Sequence, residues 1–91
     1  MKTNYLMLRD LMEVYKPKRR GFYTNEEVQL IAETLHLDEM KDEMQLRNLR
    51  DLVVLFFSLE LQDEPSFENI DKMSAITCII DNRLANMGYE V

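Results

Sequence analysis

Leu52-Val53-Val54-Leu55-Phe56-Phe57 is the longest apolar run in the chain, and its reading decides the fold. Taken alone, such a run fits a buried strand as well as a helix. Two observations choose helix. No other segment offers the run a strand partner, and a strand without a neighbour cannot satisfy its backbone. Helical spacing also continues on both sides, through Leu46, Leu49, Leu52, Val53, Phe56 and Leu59. A helix apolar all round at 52–57 belongs at the centre of its domain or against a second copy.

Working outward, the same helix is expected to span about 39–62. Asp38, Glu39 and Asp42 would favour the positive end of its dipole, and Glu43, Arg47 and Asp51 form an i, i+4, i+8 charge ladder. Pro65 follows, Ser66 can cap a new helix, and Ile70, Met73, Ile76, Ile80, Leu84 and Met87 recur by threes and fours over about 67–87. Gly88 suits a left-handed terminus for it. Towards the N-terminus, Thr24-Asn25-Glu26-Glu27 is a capping box for a helix of about 25–36 with the stripe Val28, Ile31, Ala32, Leu35. Leu8, Leu11, Met12 and Tyr15 form one face of a first helix over about 3–15, which Pro17 stops. The expectation is an all-α, small antiparallel bundle of about four helices in one domain, with the third and fourth longest. Only two glycines and two prolines among 91 residues agree with long helices and few turns.

Charge is divided unevenly. Residues 1–20 carry +4 and residues 21–91 carry −10, for a net −6. Such a surface is suited to electrostatic recognition by a partner. The basic corner is the loop Lys16, Lys18, Arg19, Arg20 with Phe22 and Tyr23, residue types that can hold phosphates and stack a base. Its structural alternative is that Lys16 and Lys18 answer the negative end of the first helix while the arginines meet acids of neighbouring helices. The acids form two clusters: Asp38, Glu39, Asp42 and Glu43, then Glu60, Asp63, Glu64, Glu68 and Asp71 around Pro65.

Catalytic and metal motifs are absent from the sequence. There is no glycine-rich phosphate loop, no nucleophile elbow and no paired His and Cys at ligand spacing. His36 is the only histidine and is expected to satisfy the last carbonyls of the second helix. Cys78, the only cysteine, lies in an apolar run and reads as a buried small hydrophobe. No enzyme activity and no cofactor are expected. No run approaches the roughly 20 apolar residues of a membrane span, no signal peptide is read at the N-terminus, and one cysteine with seven methionines suits a reducing cytoplasm.

The segment Asp71-Lys72-Met73-Ser74-Ala75-Ile76-Thr77 through to Gly88 resembles small helical proteins of bacterial phages and plasmids. The resemblance implies a mobile-element origin and assigns no site residues. The preferred functional expectation is a small, acidic, non-enzymatic interaction protein that regulates or inhibits a larger protein. One alternative is a nucleic-acid mimic of the anti-CRISPR or anti-restriction type, whose acidic clusters occupy a basic nucleic-acid-binding protein. A second is a nucleic-acid binder acting through residues 16–23, which the −10 of the remainder disfavours. A homodimer through the third or fourth helix stands level with a monomer.

Overall fold

The computed structural model describes residues 4–17 and 23–90. Four α-helices follow one another: α1 Asn4–Val14, α2 Asn25–Thr34, α3 Glu43–Asp63 and α4 Phe67–Asn86, with a short 3₁₀ turn at Leu37–Glu39 between α2 and α3. No strand occurs among the described residues. α3 and α4 are the longest, at 21 and 20 residues, and they form the hairpin that dominates the packing. α1 lies against α2 and α3, and α2 also reaches α4.

Local chemistry sets most of the helix boundaries. Thr24 Oγ1 accepts the Glu27 N–H at 3.2 Å, and Glu27 Oε1 accepts the Thr24 N–H at 3.2 Å, which completes the capping box. Asp42 Oδ1 caps α3 through the Met44 N–H, and Ser66 Oγ caps α4 through the Asn69 N–H. At the far end of α4, Gly88 adopts φ 91°. Its N–H donates to the Ala85 carbonyl, and the Tyr89 N–H donates to the Leu84 carbonyl, so two orphan carbonyls are satisfied.

One cluster of buried side chains draws on all four helices, including Leu8 and Leu11 of α1, Ile31 of α2, Leu46, Leu49, Val53 and Phe57 of α3, and Ile76, Ile80 and Leu84 of α4. Each such side chain contributes roughly 1.5–3 kcal/mol by leaving water. Phe56 stacks edge-on with Phe57 and with Tyr5, at ring separations of 5.4 and 5.6 Å.

Several sequence expectations are corrected. The third helix begins at Glu43, not near residue 39. Leu37 is fully buried, and reaching the core takes a separate 3₁₀ turn, after which Asp42 caps a new helix. His36 ends α2 with its backbone instead of its ring: it sits at φ 54°, its N–H donates to the Glu33 carbonyl, and its imidazole is exposed beside Glu39. The run 52–57 is not enclosed on all sides. Val53, Phe56 and Phe57 face the core, whereas Val54 and Leu55 face solvent. Cys78 is half-buried, and its Sγ shares a 2.9 Å hydrogen bond with the Tyr23 hydroxyl.

Candidate interaction surface

The two acidic clusters have different fates. In the first, Asp38, Asp42 and Glu43 are already engaged within the chain. Asp38 Oδ1 accepts from Arg83 Nη1 at 2.7 Å, Glu43 Oε1 accepts from Arg47 Nε at 2.8 Å, and Asp42 caps α3. Glu39 stands 3.9 Å from the His36 ring. In the second, Glu60, Asp63, Glu64 and Glu68 are exposed and make no ion pair among the described residues. Asp71, by contrast, is half-buried and lies near Tyr15.

The placement of Glu60 and Asp63 is chemically informative. Both lie in the last turn of α3, which contains no basic residue. That end of a helix carries partial negative charge, so carboxylates there are unfavourable for the fold. Glu64 adds a third charge at the C-cap. Glu68, in the first turn of α4, is the only one of the four placed where the dipole favours it.

Beside this acidic end runs an exposed face of α3. Gln45, Asn48, Leu52, Leu55 and Leu59 follow one another at intervals of three and four, which puts them in one stripe. All are solvent-exposed except the half-buried Leu52. Leu55 and Leu59 are 57% and 54% exposed, and Tyr5 of α1, 50% exposed, stands across from them. Two open hollows flank the first turn of α1 along the stripe. One, of about 130 Å³, is lined by Tyr5, Leu52, Leu55, Phe56, Leu59 and Glu60. The other, of about 510 Å³, is lined by Met7, Met40, His36, Glu39 and the amides of Asn4, Gln45 and Asn48. Among the described residues neither wall contains a lysine or an arginine.

The basic loop gives less. Lys18, Arg19, Arg20 and Phe22 lie outside the described residues. Lys16 is exposed. Tyr23 packs against the core, and the bond to Cys78, followed by burial, raises the pKa of its phenol. Among the described residues, the cation bonded at the end of α1 is Lys72, from α4. It is 3% exposed and donates from Nζ to the Met12 carbonyl at 3.1 Å. Burial lowers the Lys72 pKa, with Glu68 opposing the shift and Lys16 adding to it. Nothing local in the sequence marks this contact, because its partners lie 60 residues apart. Arg50 and Asp81, joined at 2.6 and 3.3 Å, tie α3 to α4 in the same non-local way.

Among the described residues no three His, Cys, Asp or Glu side chains are grouped to share a metal ion, and no helix is long and apolar enough to cross a membrane. Comparison of the chain with protein-family models, with curated proteins and with solved structures finds no match.

Proposed function

We propose that this chain is a small, acidic, non-enzymatic interaction protein that regulates or inhibits a larger protein by presenting the Glu60–Glu68 end of the α3–α4 hairpin to a basic surface. The observation that carries the reading is the cost of that end. Glu60 and Asp63 sit at the negative terminus of α3 with no cation in the turn, and both are exposed. Charges that work against their own helix, and make no ion pair among the described residues, are available to a partner's lysines and arginines. Carboxylates already paired or capping, as Asp38, Asp42 and Glu43 are, would have to break those contacts first. The nucleic-acid mimic needs a longer row of free charge and draws support from one cluster alone. The single cysteine and the methionines fit action in a reducing cytoplasm.

The test is affinity capture from the native cells at physiological salt, read by mass spectrometry. Wild type should retain a basic protein that is lost when Glu60, Asp63, Glu64 and Glu68 are each changed to Lys. A partner held equally by the reversed variant overturns the reading.

A further inference from the structure

The acidic end does not stand alone. Gln45, Asn48, Leu52, Leu55 and Leu59 form a stripe on the outer face of α3, and Asp63, four residues beyond Leu59, carries it into the last turn. From Gln45 to Asp63 the stripe is about 27 Å long, at about 1.5 Å per residue. Its middle is apolar, with Leu55, Leu59 and Tyr5 each half or more exposed around the smaller hollow. These side chains share the wall of one hollow, so they form a contiguous patch and are not single scattered exposures. Glu39 lies in the wall of the larger hollow, Glu60 in that of the smaller, and Asp63 follows one turn on; among the described residues no lysine or arginine joins them.

An apolar trough with acids at both ends, and no cation in its walls among the described residues, defines its complement. We propose that the α3 outer face, bordered by Tyr5, is a docking groove for a basic amphipathic helix of another protein. This deepens the proposed function and rests on it. The occupant's apolar residues, repeating at three and four, would seat against Tyr5, Leu52, Leu55 and Leu59. Its lysines or arginines would reach Glu39 at one end and Glu60 and Asp63 at the other. A second copy of this chain is the poorer occupant. It would bring a net charge of −6 against −6 and would set one copy's carboxylate-edged groove on another's.

A defined probe tests this on the intact chain. An 18-residue peptide of leucine and lysine with helical amphipathic spacing is titrated into the protein, and backbone amide shifts are followed by NMR. A scrambled peptide of the same composition and a leucine–glutamate peptide of the same pattern serve as controls. The amphipathic lysine peptide should shift the amides of Tyr5 and of residues 45–63, and the controls should not. Leu55→Gln with Leu59→Gln, both at exposed positions, should weaken binding at least tenfold while circular dichroism is unchanged. Glu60→Gln with Asp63→Asn should also weaken it and flatten its salt dependence.

Absence of shifts with the lysine peptide overturns the groove, as does equal binding of the scrambled peptide. Concentration-dependent shifts of the same amides without peptide, with a doubled mass, would make the occupant a second copy and overturn it too. The two leucine substitutions leaving affinity unchanged while the acid substitutions abolish it would remove the groove and leave the acidic-end reading standing. The reverse pattern would remove the basic occupant and the reading beneath it.

Discussion

Tyr15 shows how one residue couples several elements. It follows α1, is 2% exposed, and its phenol faces Glu27 of the α2 capping box and Asp71 of α4. Burial, then the Glu27 and Asp71 charges, push its pKa well above the ordinary 10.0. The unfolded chain releases this proton near 10, whereas the folded chain keeps it. Above that pH the unfolded state binds fewer protons, so stability falls as pH rises. Lys72 acts in the opposite sense. Its lowered pKa means that the folded state loses a proton before the unfolded state does, so that group adds stability as pH climbs towards 10.5. The two are separated by Tyr15→Phe. Relative to wild type, the variant's stability should improve between pH 9 and pH 11, by up to about 1.4 kcal/mol per pH unit. Urea unfolding midpoints at pH 8, 9.5 and 11 measure it. A constant offset across that range would mean that Tyr15 ionises as easily folded as unfolded. The sequence placed Tyr15 on the buried face of the first helix, since periodicity reports burial. It did not reveal Glu27 or Lys72 as neighbours of that site, because those meetings depend on how helices cross and not on spacing within one helix.

At the scale of elements, boundaries were legible where one residue type does one job. Thr24 with Glu27 and Gly88 with its left-handed φ were both visible in the sequence, since short polar side chains and glycine have few alternatives at such positions. The end of α2 was not. Its left-handed residue is His36, the only non-glycine with positive φ among the described residues, and histidine, though enriched in that conformation, adopts it too rarely to mark a helix end. The start of α3 was misplaced for a related reason. Asp38 and Glu39 look like first-turn acids, but they belong to the 3₁₀ turn that buries Leu37. His36→Gly tests the strain directly. A Cβ in the left-handed region costs on the order of 1 kcal/mol, and glycine removes that cost while adding freedom to the unfolded chain. Glycine also gives up the approach of the His36 ring to Glu39, but at 3.9 Å between exposed side chains that pair is worth little. The variant should gain about 0.5 kcal/mol and a few degrees in thermal midpoint. A lowered midpoint would show that the imidazole holds the turn more strongly than the backbone strain opposes it.

For the whole molecule, stability and recognition pull against each other at the α3–α4 turn. The apolar excess of the third helix was legible in the sequence, as was the acidic cluster around Pro65, because both are local. Which side of the helix stayed outside was not, since that depends on where α1 and α4 settle. With that settled, Glu60, Asp63 and Glu64 are seen to add like charge where the α3 dipole is already negative, in a chain of net −6. Salt screens exposed charge over about 10 Å at 0.1 M. Wild type should therefore become more stable as sodium chloride rises from 10 mM to 500 mM, by several tenths of a kcal/mol. A variant carrying Glu60→Gln, Asp63→Asn and Glu64→Gln should start more stable at low salt and respond less. Urea titrations at the two salt concentrations, at one pH, give both comparisons. Exposed pairs such as Arg83–Asp38 and Arg47–Glu43 weaken in salt and set a small opposing slope common to the two proteins. The difference between the slopes isolates the acidic end. Equal slopes, or a less stable triple variant, would mean that those carboxylates help the fold, and the argument that they are kept for a partner would lose its physical basis.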